Sequence, residues 1–390
     1  MRERGCFAKS NEPVRSRLLL TCRSARCDCS QREQFYLCAA LDNFLAALVP
    51  SPDNAAMHIS SLVRRIALFV TAAALTASLS AAHNPFLGRW ALTIPGGGAG
   101  WLGIVETNGE LKGSILWGGG SVVPVTTTKV EGDTLVVTRV NQSRQRVDGQ
   151  SIVKKTTETI TAKVDGDNLK LTTVTVGDDG KERGRADFTG KRIPALPPAP
   201  ELAKLKLGPA IALFNGTDLS GWKTMGNAPS AWKVEDGILR NDTTLPAGEH
   251  KTFANLRTER EFEDFRLEVE FRVPTNGNSG IYLRGIYEIQ VANSYGRRND
   301  THNCGALYSR ILPSENVSKP PGEWQTFEIT LVDRHLTVIH NGKKTIDNHP
   351  VLGCTGGALW SDEFKPGPIY LQGDHTSVDY RKLVLRPVVK

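Results

Sequence analysis

The chain has 390 residues, 39% of them hydrophobic, which is enough to bury two cores. Its formal net charge is +7, but ten Lys/Arg and six Asp/Glu fall in the first 82 residues, leaving about +3 for the remainder. A nucleic-acid partner is not expected, because so mild an excess with no basic run builds no electrostatic footprint.

Residues 1–56 show no clear period and hold five of the seven cysteines: Cys6, Cys22, Cys27, Cys29 and Cys38. Their spacing matches no zinc pattern and no histidine precedes His58, so the segment reads as a non-native upstream extension of the reading frame. From Met57 the sequence reads as a secretory signal over 57–82. Arg64 and Arg65 form its charged start, Ile66–Leu79 its apolar run, and Ser80-Ala81-Ala82 a small-residue cleavage site before His83. The apolar run is short of the roughly 20 residues a transmembrane helix needs. No cysteine follows the cleavage site, so no lipid anchor is indicated. The expectation is an exported protein, periplasmic or extracellular, with no stable membrane anchor after cleavage. It would retain only Cys304 and Cys354, for which a disulfide and two free buried thiols both fit the sequence.

Residues 83–193 read as a small all-β accessory domain. Eight runs rich in Thr, Val, Ile and Leu are separated by Gly-containing turns, which predicts a small antiparallel β-barrel or sandwich. Gly88-x-Trp90 is a lipocalin-like opening, and no catalytic set stands out in this region. PALPPAP opens a proline-rich linker over 194–208. Residues 209–390 are again strand after strand, with Asn341-Gly342 marking a tight hairpin turn. Strands without βαβ units predict a two-sheet jelly-roll sandwich, so the fold class is all-β throughout. Residues 201–390 are expected to fold alone.

The centre of this second half is NSGIYLRGIYEIQV, Asn278 to Val291. Period-two alternation sends Ile281, Leu283, Ile289 and Val291 to a core and puts Arg284, Glu288 and Gln290 on the other face. The bland reading is a wet face with an Arg284–Glu288 ion pair. The sharper one is the polar floor of a groove. The run Ile369–Leu371 repeats the pattern, with Gln372 outward and His375 at its end.

The ordered motifs LFNGTDLSGW, WKVEDGIL, NSGIYLR, YEIQV, GALY, KPPGEW, NGKK and GPIYLQGDH resemble the DUF1080 family, also called the 3-keto-disaccharide hydrolase domain, over about residues 211–387. The resemblance implies a concanavalin A-like jelly roll and a carbohydrate partner, an oxidised disaccharide or glycoside. The chain departs from the family where Thr376 follows His375 and DYRKL (Asp379–Leu383) replaces the usual closing strand. The implied chemistry uses the acidity that a C3 ketone confers on the C2 hydrogen. A base removes that proton, the C1 group leaves, and water adds to the product. One base, help for the leaving group and a donor to the enolate suffice. The paired carboxylates of ordinary glycosidases are not needed. Glucanases of the same fold carry E-x-D-x-x-E, and Glu288-x-Gln290-x-x-Asn293 keeps that spacing with one carboxylate.

The expected catalytic residues are Glu288 as acid or base, His375 as a second acid/base, and Arg284 as donor to the enolate. The expected substrate contacts are Gln290, Gln372, Asp374, Tyr282, Asp300, His302 and Trp360. Asp300 and His302 either line the groove or hold a divalent ion with Asp374, but no ligand pair is compactly spaced and no cofactor is expected. Trp222, Trp232 and Trp324 read as core. The rival classes are a non-catalytic carbohydrate-binding module, which would show aromatic platforms without a perturbed acid/base, and a structural laminin-G-type domain with no deep pocket.

Overall fold

The computed structural model describes residues 84–94, 98–147, 150–246, 249 and 251–390. The expected upstream extension, the signal segment 57–82 and the expected mature start at His83 lie outside the described residues.

The first half is one antiparallel meander. Its strands are β1 (Gly88–Thr93), β2 (Ala99–Thr107), β3 (Glu110–Trp117), β4 (Gly119–Pro124), β5 (Thr127–Glu131), β6 (Thr134–Val147), β7 (Gln150–Asp165), β8 (Asn168–Gly177) and β9 (Glu182–Ile193). They pair in the order β4-β3-β2-β1-β9-β8-β7-β6-β5. Asn108-Gly109 turns β2 into β3 with both residues left-handed (φ 54° and 78°), the hairpin geometry that matches strand twist. No ladder joins β4 to β5, so the sheet is not a closed barrel. Its core gathers Trp90, Leu92, Leu102, Ile104, Ile115, Val137, Ile160 and Phe188. Trp90 is fully buried, donates from Nε1 to Phe86 O (3.0 Å), and carries the Arg192 guanidinium over its ring.

The proline-rich segment is pinned rather than free. Arg89 donates to Pro194 O, Arg334 to Ala195 O and Asn348 to Pro200 O. Beyond it come β10 (Lys206–Leu207), β11 (Ile211–Ala212), β12 (Trp222–Thr224), β13 (Trp232–Glu235), β14 (Ile238–Asn241), β15 (Leu256–Phe262), β16 (Phe265–Arg272), β17 (Asn278–Leu283), β18 (Tyr287–Ala292), β19 (Gln325–Val332), β20 (His335–His340), β21 (Lys343–Pro350), β22 (Gly367–Leu371) and β23 (Val378–Val389). They form two antiparallel sheets. One runs β13-β14-β23-β16-β19-β20-β21, with β10 and β11 also on β23. The other runs β12-β15-β22-β17-β18.

Alternation explains the packing of this jelly-roll half. Phe265, Leu267, Val269 and Phe271 from β16 are buried in one core with Ile281, Leu283, Ile289, Val291, Ile369 and Leu371 of the five-stranded sheet. Each such side chain contributes about 1.5–3 kcal/mol on burial. Trp222 and Trp232 belong to this core, each donating from Nε1 to a carbonyl, Leu213 O and Ala254 O. Trp324 does not. It is half-buried on the outside between Arg272 and Arg381, whose guanidinium groups lie 4.8 and 4.4 Å from its ring. Ala99, Trp101 and Leu116 of the first sheet join this second core, and the described residues fall in one compact unit. Cys304 and Cys354 are separate buried thiols, each pushed by burial up to about 12.

Candidate active site

The hairpin β17–β18 has two different faces. Ile281 pairs with Ile289 and Leu283 with Tyr287 on the core side; Tyr282 pairs with Glu288 and Gly280 with Gln290 on the other. On β22, Tyr370 pairs with Tyr282, and Gln372 donates its N–H to Gly280 O. One row across the sheet therefore reads Tyr370–Tyr282–Glu288 and the next Gln372–Gly280–Gln290. Glycine at 280 is a requirement of space: a Cβ there would run into the Glu288 carboxyl. The two tyrosine rings stack at 4.0 Å, nearly parallel.

Glu288 is 3% exposed, and burial raises its carboxyl to about 8. The Tyr282 hydroxyl lies 3.0 Å from Glu288 Oε2 and 2.7 Å from Gly356 O. A hydroxyl has one proton and cannot donate to both. While it serves the nearer carbonyl, the carboxyl is best satisfied carrying its own proton, donated back to the tyrosine oxygen. Burial and this placing of the hydroxyl proton favour the neutral acid, whereas a Tyr282 hydroxyl turned to donate to Oε2 lowers the carboxyl.

His375 stands beside it, 46% exposed at the side chain, with Nδ1 2.8 Å from Asp374 Oδ1. That hydrogen bond raises its pKa, with a further contribution from the charge of Glu288, and His375 in turn favours the ionised form of Glu288. Gln290 donates from Nε2 to Asn278 Oδ1 (3.0 Å), while its Oε1 is buried without a partner. Gln372 is buried on the same face. Across the free edge of β18, Tyr308 donates its N–H to Glu288 O, and the His302 ring sits edge-on to Tyr308 at 4.9 Å. His302 Nδ1 is 2.6 Å from Asp300 Oδ1. Two His–Asp pairs thus lie on either side of Glu288. Among the described residues no three His, Cys, Asp or Glu side chains converge as a metal site.

Two expected members are elsewhere. Arg284 does not share the Glu288 face. β17 ends at Leu283, and Arg284 occupies the turn with φ 55° before Gly285, so alternation no longer aims its side chain. It donates instead to Glu363 O (2.8 Å) and Lys365 O (2.5 Å). The alternative Arg284–Glu288 ion pair is absent as well. Trp360 packs against the core with Lys365 Nζ 3.8 Å from its ring centre. It lines a separate cavity of about 670 Å³, with Leu92, Arg192 and Phe364 among its walls.

The residues missed from the sequence are Gly280, Gly356 and Asn278; alternation puts Tyr370 outward with Gln372 but assigns it no role. Gly280 did carry a signal, since an isolated glycine inside a strand marks a close approach.

Comparison with known proteins bears on the second half. A 3-keto-disaccharide hydrolase of Bacteroides thetaiotaomicron is 26% identical over 36% of this chain. The chain spans 58% of the length of that curated relative. A glycosyl hydrolase candidate from Parabacteroides distasonis, known from a crystal structure, is 28% identical, covers 50% of this chain and 94% of its own, and has a TM-score of 0.38. Another from the same organism is 24% identical, over 46% of this chain and all of its own, with a TM-score of 0.35. The family match likewise belongs to the two-sheet half: residues 209–386 match the model of the 3-keto-alpha-glucoside-1,2-lyase-like domain family, and the sheet of β1–β9 lies outside it.

Proposed function

We propose that this chain is an exported enzyme that cleaves the glycosidic bond of 3-keto-disaccharides or 3-keto-glycosides by proton abstraction, elimination and hydration. The observation that carries the reading is the pairing of a buried Glu288, whose carboxyl burial raises to about 8, with an exposed His375 hydrogen-bonded to Asp374. With Nδ1–H donated to Asp374, His375 keeps Nε2 for a proton. It takes the C2 hydrogen, which the C3 ketone acidifies, and an enolate forms. The C1–O bond then breaks, and the Glu288 carboxyl gives its proton to the departing oxygen. Water adds its oxygen to C1 of the unsaturated product and gives its second proton to the Glu288 carboxylate, while His375 returns the abstracted proton to C2, so both groups are restored. Arg284 is committed to backbone carbonyls. The enolate donor is assigned instead to Tyr370, whose hydroxyl lies a long 3.5 Å from Gly357 O.

The protonation states fix the pH dependence. His375 must be neutral, so activity rises with pH through its raised pKa. Glu288 must be protonated, so activity falls again through about 8.

The test is incubation of the purified protein with a 3-keto-disaccharide and with its unoxidised parent. Cleavage of the keto sugar alone supports the reading. Equal cleavage of both would point to ordinary glycoside hydrolysis, and binding without turnover to a carbohydrate-binding module. Export rests on the signal reading of 57–82: secreted material should begin within a few residues of His83, and a start upstream of Met57 would refute it.

A further inference from the structure

The nine-stranded sheet has no part in the chemistry above, yet its β3–β4 turn lies against the site. Gly357 N–H donates to Gly118 O (3.2 Å) and Val122 N–H to Ser309 Oγ (2.9 Å). Ser121 Oγ and His302 Nε2 are 2.9 Å apart. Gly356 is packed so closely on Gly120 that a side chain at 356 would run into the Gly120 carbonyl.

Each partner is one step from Glu288. Gly356 O takes the Tyr282 hydroxyl proton, and a Cβ on Gly357 would lie 2.6 Å from that hydroxyl. Ser309 follows Tyr308, whose N–H holds Glu288 O. His302 is fixed from both sides, by Ser121 and by Asp300, with its edge on the Tyr308 ring. Backbone-to-backbone approach of this kind needs glycine on both sides, and the turn supplies it: Gly118 and Gly120 are left-handed (φ 81° and 76°) with Gly119 between them.

We propose that the Gly118–Ser121 turn of the first sheet is a positioning element of the active site, which by seating Gly356 fixes where the Tyr282 hydroxyl points and so whether Glu288 carries its own proton. This rests on the reading of Glu288 as proton donor. Displacing Gly356 frees the Tyr282 hydroxyl to donate to Glu288, and a carboxyl that accepts a hydrogen bond ionises more readily. Simple packing between the two halves would instead change stability and leave the titration of Glu288 alone.

The test uses the full chain with Gly356→Ala. Gly356 is not left-handed, so alanine is compatible with its φ, and the nearest atoms the added methyl meets are those of the Gly120 backbone. The readout is the infrared C=O band of the protonated Glu288 carboxyl, assigned by its loss in Glu288→Gln and followed against pH. In Gly356→Ala its midpoint should fall by about one pH unit. Turnover of a 3-keto-disaccharide at neutral pH should fall about tenfold to a hundredfold. A folded variant with wild-type midpoint and rate overturns the proposal. A shifted midpoint in a protein that never turns over the keto sugar supports the positioning role and refutes the proposed activity, so the two failures are distinct. If Gly356→Ala does not fold, Ser121→Ala decides. A drop in kcat/KM of about fivefold, restored by Ser121→Thr at unchanged melting temperature, supports the role. Wild-type kcat/KM in Ser121→Ala overturns it.

Discussion

Two buried glutamates lie on opposite sides of one hairpin, and their neighbours give them different electrostatic surroundings. Glu288 points from β18 toward Tyr282 and makes no ion pair with an arginine among the described residues. Glu363 accepts from the Tyr287 hydroxyl (2.9 Å) on the core side, with Arg334 Nη1 at 3.8 Å and the charges of Arg310 and Arg89 also acting on it. Burial raises both carboxyls, but only at Glu363 do several cations favour the ionised form. Burial alone therefore does not set the state of a carboxyl; the number of cations facing it counts as well, several guanidinium groups at Glu363 against His375 at Glu288. Arg284 and Arg334 show which side the fold supplies with charge. Both sit at left-handed backbone angles (φ 55° and 59°), a conformation costly for arginine. Arg334 makes the ion pair with Glu363, and Arg284 holds the Glu363 backbone.

The largest expected effect breaks the comparison at Glu288. Glu288→Gln preserves shape but removes the proton donor, and kcat should fall by about 10²–10⁴ while binding of the keto sugar survives. Full turnover in this variant would transfer the acid role elsewhere. The same change should alter the pH dependence of stability. In the unfolded chain the carboxyl titrates near its ordinary 4.5, in the fold at about 8. Between those values the folded protein retains a proton that the unfolded chain releases. The stability contribution of this group is thus greatest below 4.5 and declines as pH rises to about 8. Melting temperatures across that window should show the decline in wild type and a flatter profile in Glu288→Gln.

Glu363→Gln should do the reverse. It leaves buried guanidinium groups uncompensated and should cost about 3–5 kcal/mol in denaturant unfolding. Measured at a temperature where the variant is folded, its pH–rate midpoint near 8 should be kept. A catalytic loss like that of Glu288→Gln, without lost stability, would collapse the distinction between the two carboxyls.

Gly280→Ala tests the space reserved for Glu288. The added methyl overlaps the carboxyl, and accommodation should cost about 1–3 kcal/mol with a clear loss of turnover. Wild-type kinetics would mean that Glu288 need not lie where it does. The smallest effect is expected for Asp374→Asn. Its carboxylate is on the surface, so stability should change by no more than about 0.5 kcal/mol. His375 loses the partner that raises its pKa, so the acid limb of the pH–rate profile should move to lower pH.

The all-β fold was legible because alternation and turn residues are local. Asn341-Gly342 does turn β20 into β21, and Asp236-Gly237 turns β13 into β14 in the same way. Placing Tyr282, Glu288 and Gln290 together needed only the two-residue period within paired strands. That reasoning failed at Arg284 because the period stops where the strand stops, and the following Gly285 was the available sign of a turn. Asp333-Arg334 forms a left-handed turn with no glycine to announce it. Glu363 was not legible. It lies 76 residues from Tyr287, on an irregular loop with no period, and nothing local marks it as buried. The joint between Ser121 and His302 spans 181 residues, and only the glycine run beside Ser121 hinted at a close approach.

The central claim is that Glu288 is a neutral acid at working pH. Carboxyl carbon-13 NMR on glutamate-labelled protein tests it directly, with the Glu288 signal assigned by its loss in Glu288→Gln. The signal should keep the shift of a protonated carboxyl at pH 7 and titrate with a midpoint of about 8. A Glu288 signal already ionised at pH 7, with a midpoint near the ordinary carboxylate value, would contradict it.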